Sequence, residues 1–542
     1  PHRPRQRHPR QPRPLRRHSN QTEVTESITL IQNTDMNPLP AKCLSYCISE
    51  FRIAGFNKIE YSTFDEIKSA LRKLIEIQCN YFSSEISKMK CPRDIIAFIV
   101  RYEGGDKTDA GEISFKKLCK SIFTLVPSLR LSTLADSIFP DNNADISGLM
   151  FIHNSILELA QFYGLLLTVK RDVARLVVTD EGWSLEITDE MIFERNVRAQ
   201  IAIKNGALQK YCEDGFTVES FIDTYRKVFG STEDSVYQRI YSRPFFYDAN
   251  DLTETQFVRL VNGDIPQKGI VDLTDIVVNN KTNAYLRGLI LDEENSDLLL
   301  SILKPHNPKF RSRFRPIIKI NIDGEDKYVT TQDIYYEAMV QLGSGQYAHN
   351  ELPVEWTNIK EFKDAAKNIF KKHSKFLEDN IESILKTEKY CYIRNVTSLS
   401  NVSCVKAPVI INGQRLPKKT VGEIDFIIID DNTKTVYIVD AKYLKPTFFY
   451  MSFPTDAEKF REDSGYEFKL SNKIRWVTDN ILLLSRELKR KEILEYNVEG
   501  FFITDNFVFY SIISKFPIIP ISNFIEYIST RDRFCFLHKI SV

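Results

Sequence analysis

The sequence predicts an α+β protein of several domains, with a mostly helical N-terminal region and a C-terminal α/β domain on a mixed sheet. Three observations predict this. At 542 residues the chain is too long for one ordinary domain. Helical spacing of apolar residues dominates residues 41–125. In the last third, short runs rich in Ile, Val, Phe and Tyr alternate with helical stretches. Hydrophobic residues make up 43% of the chain, enough to fill packed cores. No run approaches about 18 consecutive apolar residues, so no membrane-spanning helix and no membrane partner are expected.

Residues 1–20 hold seven arginines, three histidines, five prolines and no acid. The segment has no apolar stretch of the kind a secretory signal needs, and it is expected to be disordered. It reads as an expression remnant or out-of-frame leader ahead of a nucleic-acid-binding arm. The whole chain carries +1 and this segment +7, which leaves about −6 for residues 21–542. Any polyanion must therefore be gripped by local patches, because no general basic field exists. The nine cysteines are scattered without paired CxxC spacing, which points to reduced thiols in a cytoplasmic protein. Cys43 and Cys47 fit one helix and its core.

A mainly helical domain is expected over residues 21–140, with its clearest helix from Phe64 to Cys79, where Ile67, Leu71, Leu74 and Ile75 share a face. Residues 141–190 predict a helix from Gly148 to about Tyr163, ending in Gly164. A hairpin then pairs Leu165–Val169 with Ala174–Thr179 across Lys170-Arg171-Asp172. A helix feeding a basic-tipped hairpin resembles a winged-helix module, a common DNA-docking unit that also serves protein partners, with Lys170 and Arg171 at the tip. Residues 191–355 read as a mixed α/β connector or recognition domain, with a hairpin of Ile317–Ile322 and Lys327–Thr330 across Asp323-Gly324. Before it, residues 305–316 interleave Lys309, Arg311, Arg313 and Arg315 with Phe310 and Phe314. Such cations can clamp phosphates while the aromatic rings stack on bases. A solvated loop with both rings buried is the competing reading. Gly343-Ser344-Gly345 lacks the lysine and serine of a phosphate-binding loop, so no ATP-driven motor is expected. No histidine signature marks a Ser-His-Asp triad, and His373 is expected on the solvent side of its helix.

The last domain, residues 356–542, carries the chemistry. Phe376–Leu385 predicts a helix and Tyr390–Val396 a strand. Gly422-Glu423-Ile424-Asp425-Phe426 opens an apolar strand, Asp430-Asp431-Asn432 a turn, and Val436–Val439 a second strand ending in Asp440-Ala441-Lys442. Period two along each strand puts Asp425 on one face of the first and Asp440 and Lys442 on one face of the second. If those faces coincide, two carboxylates and an ammonium converge. Such an arrangement is costly unless the charges hold a metal ion, and hard carboxylate oxygens suit magnesium or manganese. The strands are apolar on both faces, as in a sheet covered by helices, so an exposed polar hairpin is the weaker reading. Glu423 reads as a flanking surface acid. Phe468–Lys489 predicts a long helix, Gly500–Thr504 and Phe507–Tyr510 two strands, and Ile518–Ile521 a lead into a short helix from Ser522.

Asp425 followed by Asp440-Ala441-Lys442 resembles the PD-(D/E)XK nuclease superfamily, the restriction-endonuclease-like fold, over roughly residues 360–542. Ile424 stands where many members carry proline. The resemblance implies a glutamate on the preceding helix, with Glu378 the choice and Glu382, one turn later, the substitute. It implies that Asp425, Asp440 and Glu378 hold one or two magnesium (or manganese) ions, with the Ala441 carbonyl as a further ligand. Lys442 would orient the attacking water, and Lys469 and Lys473 on the later helix would lie near the phosphate. The implied activity is metal-dependent endonuclease cleavage of DNA more readily than RNA, leaving 5′-phosphate and 3′-hydroxyl ends. A setting in defence against foreign DNA, as a homodimer or with a partner protein, goes with the resemblance. The alternative is an inactive nuclease fold or a winged-helix regulatory protein.

Overall fold

The computed structural model describes residues 27–29, 38–104, 110–138, 143–187, 215–241, 270–280, 283–304, 314–343, 352–411, 414–444, 453–461 and 463–535. It is an α+β protein with mixed sheets in its C-terminal part. Among the described residues no helix is long and apolar enough to cross a membrane.

The N-terminal region packs α1 (Pro38–Ile53), α2 (Phe64–Ile86), α3 (Pro92–Gly104), α4 (Ala110–Leu125) and α5 (Asn143–Val169) around one core. Strands β1 (Ser27–Thr29), β2 (Glu60–Tyr61), β3 (Ala174–Thr179) and β4 (Gly182–Ile187) form an antiparallel sheet in the order β1-β4-β3-β2. Helices α2 and α5 pack on each other, so residues 21–140 and 141–190 share a core instead of forming two. The expected hairpin is also corrected. Leu165–Val169 is the end of α5, and the observed hairpin is β3–β4, turning at Asp180-Glu181. An unbroken apolar run has no alternation, so its period cannot separate a buried helix from a strand.

The middle region holds α6 (Gly215–Tyr241), β5 (Val271–Asp272), α7 (Thr274–Asn279), α8 (Ala284–Leu289), β6 (Ile290–Leu291), α9 (Leu298–Leu303), β7 (Ile317–Ile322), β8 (Glu325–Thr330), α10 (Gln332–Gln341) and α11 (Val354–Thr357). Its sheet runs β5-β8-β7-β6. The expected Asp323-Gly324 turn joins β7 to β8, with φ of 48° and 86° at the two residues, as a tight hairpin requires. Trp356 is fully buried here, stacked between Tyr285 and Phe362.

Helix α12 (Lys360–Thr387) spans about 42 Å and serves two cores. Phe362, Ala366 and Ile369 join the Trp356 core, whereas Leu377, Ile381 and Leu385 cover the C-terminal sheet. That sheet contains β9 (Cys391–Val396), β14 (Ile424–Asp430), β15 (Thr435–Lys442), β16 (Asn497–Thr504) and β17 (Ile518–Pro520) in the order β17-β16-β15-β14-β9. Two small ribbons, β10 (Ser398–Leu399) with β11 (Val402–Ser403) and β12 (Pro408–Ile411) with β13 (Gln414–Thr420), precede β14. Strand β14 is antiparallel to β9 and β15, whereas β15, β16 and β17 are parallel. Helices α13 (Phe453–Phe460), α14 (Tyr466–Asp479), α15 (Ile481–Leu488) and α16 (Phe524–Thr530) complete the domain. Leu470 and Val477 of α14 pack on the sheet face opposite α12, with Ile427, Ile429, Val436 and Ile438. Phe426, Ile428, Tyr437 and Val439 face α12. Ile424 departs from the alternation and packs on the Ile427 side.

Two further expectations are corrected. The helix predicted over 468–489 breaks at Asn480, whose side-chain amide donates to the Trp476 carbonyl at 2.8 Å, competing with the helical ladder. Phe507–Tyr510 is no strand. Phe509–Ile512 forms a single 3₁₀ turn, and Phe509 and Ile512 enter the N-terminal core.

Candidate active site

Strands β14 and β15 place Asp425, Asp440 and Lys442 together on the α14 side of the sheet. The Lys442 Nζ stands 2.8 Å from Asp440 Oδ1 and 3.9 Å from Asp425 Oδ2. The two carboxyls are themselves in hydrogen-bond contact. The Ala441 N–H donates to Asp425 Oδ2 at 2.7 Å, and the Ala441 carbonyl accepts from Lys442 Nζ at 3.2 Å. Asp440 is 1% exposed, whereas the side chains of Asp425 and Lys442 each keep 20% of their surface, so the cluster opens on the Asp425–Lys442 side.

Lys473 of α14 closes the cluster from inside, its Nζ 2.7 Å from Asp440 Oδ1. Gly500 of β16 lets α14 come this close. A Cβ there would stand 2.5 Å from Ile474 Cδ1 and 3.2 Å from Leu470 Cδ1. Tyr466 roofs the site, with Lys442 Nζ 5.3 Å and Lys469 Nζ 5.9 Å from its ring centroid.

The electrostatics separate the two aspartates. Burial and then the Asp440 charge push the Asp425 carboxyl up to about 7. Burial also works against ionised Asp440, but the Lys442 and Lys473 ammonium groups outweigh it and hold that carboxyl below the usual range. Burial would lower Lys442, yet the Asp440 and Asp425 charges raise it. Two carboxylates in contact with only one comfortably ionised are what a divalent cation would relieve.

The remaining expected site residues lie elsewhere. Glu378 and Glu382 are both bound by Arg394 of β9, at 3.1 and 2.7 Å, together with Asp379 at 2.7 Å. Arg394 lies over the Phe426 ring, on the α12 side of the sheet, so neither glutamate reaches the Asp425–Asp440 pair. Hydrogen bonds from Lys386, Arg394 and Tyr392 draw the Glu382 carboxyl down to about 2. Among the described residues no group of three or more His, Cys, Asp and Glu side chains comes together to hold a metal. The donor set here is Asp425, Asp440 and the Ala441 carbonyl. It fits magnesium, which commonly takes one or two carboxylates and fills its other positions with water and phosphate oxygens.

The expected nucleic-acid contacts divide similarly. Arg315 is corrected. It is 1% exposed, donates to the Arg287 and Ile290 carbonyls at 2.7 and 3.1 Å, and pairs with Glu355 at 3.0 Å, so it ties the middle domain together. Phe314 beside it is buried, while Lys309, Arg311 and Arg313 lie outside the described residues. Lys170 and Arg171 follow the end of α5 instead of tipping a hairpin, and Lys170 pairs with Glu458 of α13 at 2.9 Å. The observed hairpin tip, Asp180-Glu181, is acidic. Lys469 is exposed, but Lys473 is 6% exposed and belongs to the ion-pair cluster instead of a surface contact. His373, expected at the solvent, stacks on Tyr443 with ring centroids 4.7 Å apart. Comparison with protein-family models, with curated proteins and with solved structures finds no match.

Proposed function

We propose that the chain is a metal-dependent nuclease of the restriction-endonuclease-like kind that hydrolyses phosphodiester bonds of DNA. The observation that carries the reading is the junction of Asp425, Asp440 and Lys442 at the open end of the β14–β15 hairpin. The mixed sheet, covered by α12 on one face and α14 on the other, is in keeping with it. Asp425, Asp440 and the Ala441 carbonyl would hold one magnesium or manganese ion. When bound, that ion supplies charge neutralisation at the scissile phosphate and a more acidic water. Lys442, beside Asp440 and partly open, donates to the incoming water or the phosphate oxygen. Lys473 keeps Asp440 ionised and oriented without touching substrate.

A second reading has its own support: Lys442 and Lys473 already neutralise Asp440, as in a structural ion-pair network on a catalytically quiet scaffold. Plasmid nicking with magnesium, against calcium, separates the two. Wild-type cutting in magnesium and none for Lys442→Ala, folded by circular dichroism, is the expected outcome. Asp425→Asn should weaken magnesium binding in calorimetry by at least about tenfold, the loss of one charged ligand. An isotherm like that of the wild type removes Asp425 from the ligand set, and a wild type inert with every divalent ion leaves the quiet scaffold.

A further inference from the structure

Residues 395–422, which lead from β9 to Glu423, hold Lys406, Arg415, Lys418 and Lys419 and no aspartate or glutamate. The ribbon β12–β13 within them is fixed to the domain at two points. At its base the Val421 N–H donates to the Ala407 carbonyl at 3.0 Å, and Val421 is buried in one core with Cys404 and Trp476. Arg475 of α14 donates to the Ile410 carbonyl at 2.5 Å. Between these points the ladder is irregular. Pro408 faces Thr420 and Ile410 faces Arg415, so residues 416–419 stand opposite Val409 alone. The extra residues of such a bulge leave the ladder, and Lys418 and Lys419 on it are exposed.

The bulge meets the candidate site across the first turn of α14. Lys419 Nζ lies 4.7 Å from the centroid of the half-buried Phe468 ring. Lys469, the next residue, shares the Tyr466 ring with Lys442, at 5.9 and 5.3 Å. At about 100° per residue, Lys469 lies between Phe468 and Tyr466 around the helix. Lys419, Lys469 and Lys442 therefore follow one another along a single arc of one turn. An aromatic ring positions an ammonium group without cancelling its charge, whereas a carboxylate does both. Among the described residues Arg415, Lys418, Lys419 and Lys469 form no ion pair, and neither does Glu423, the only acid between Lys419 and Asp425. Elsewhere in the same domain Arg394, Arg461, Arg490 and Arg531 are each held by carboxylates.

We propose that the β12–β13 ribbon is a clamp for the DNA backbone beside the site. The strand held at Asp425, Asp440 and Lys442 continues past Lys469 to Lys419 and Lys418, whose ammonium groups take its phosphates. The proposal rests on the nuclease reading for its choice of polyanion. Phosphate contacts carry no base sequence, so the clamp is indifferent to sequence and supplies locally the positive charge that residues 21–542 lack as a whole.

The test uses the full chain, a labelled DNA duplex and calcium in place of magnesium, with affinity read by fluorescence anisotropy across a salt series. The variant is Lys418→Gln, Lys419→Gln. The control is Lys434→Gln, Lys491→Gln, equal in charge and exposed at the far end of β15 from Lys442. The ribbon variant should bind about tenfold more weakly, with the slope of log affinity against log salt reduced by about 1 per lysine. The control should stay within about twofold of wild type, the change that net charge alone makes at a distance. Equal losses in both variants, or wild-type binding by the ribbon variant, overturn the clamp, as does a wild type that binds no DNA. Failure of the nuclease reading looks different: DNA held through the ribbon but never cut in magnesium.

Discussion

Lys473 sits three residues after Leu470 and four before Val477, on the stripe of α14 that faces the sheet, and this is why its ammonium ends inside the protein. A lysine on a buried helical stripe needs a carboxylate, and Asp440 supplies one. That signal was present in the chain, since the spacing that predicts the helix also puts Lys473 on its apolar side. Asp425, Asp440 and Lys442 were legible because period two along two adjacent strands fixes their faces. Glu378 was not. Its place depends on how α12 is rotated and on which cation reaches it first, and Arg394 of the following strand does so.

His153 shows the same dependence on packing. It is 1% exposed, its Nε2 lies 2.8 Å from Ser121 Oγ, and its Nδ1 has no hydrogen-bond partner. Burial, with a smaller push from Lys117, draws its pKa from 6.5 down to about 3. The unfolded chain therefore binds a proton between these values that the folded chain refuses. The contribution is fully present above pH 6.5 and is lost as pH falls toward 3, by about 1.4 kcal/mol per pH unit. A His153→Leu variant should show a shallower fall in thermal stability between pH 6 and 4. Parallel curves for the two proteins would mean that the folded state accommodates the charge.

At the scale of elements, the α14–β16 contact sets the depth of the site. Gly500 lies opposite Ile438 in the ladder and beneath Ile474. Valine is the better strand former, so Gly500→Val would stabilise the protein if the space above it were open. The approach of Ile474 predicts the reverse, a loss of about 1–3 kcal/mol from overpacking, with α14 lifted and Lys473 drawn off Asp440. Thermal denaturation gives the sign, and Gly500→Ala should fall between. The hairpin β14–β15, the Phe376–Leu385 part of α12 and the Asp323-Gly324 turn were readable because each has one dominant local signal, whereas the first half of α12, from Lys360, was not read as helix. The end of α5 and the break at Asn480 were not. Leu165–Val169 is apolar at every position, and the Asn480 side chain only wins its carbonyl once α15 turns away.

Across the whole molecule, the regions are joined through shared cores. Strand β7 gives Ile318, Ile320 and Ile322 to the N-terminal core and Ile317 to the Trp356 core. Tyr102 and Lys120 both bind Glu337 of α10, each at 2.7 Å. From the other end of the chain, the turn at Phe509–Ile512 packs Phe509 and Ile512 among the residues of α1 to α5, while α13 lies against α5. The N-terminal core therefore includes side chains from the domain that bears the candidate site, and Phe460 of α13 stacks edge-on against both Tyr466, the roof of that site, and Phe502. Phe509→Ala should cost about 3–5 kcal/mol, the usual loss for a buried phenylalanine. Were the domains independent, hydrogen exchange would rise only around residues 505–515. The shared core predicts faster exchange in α5 and α13 together, with α12 and β9 little changed. Exchange confined to the 3₁₀ turn would show that the two domains merely touch.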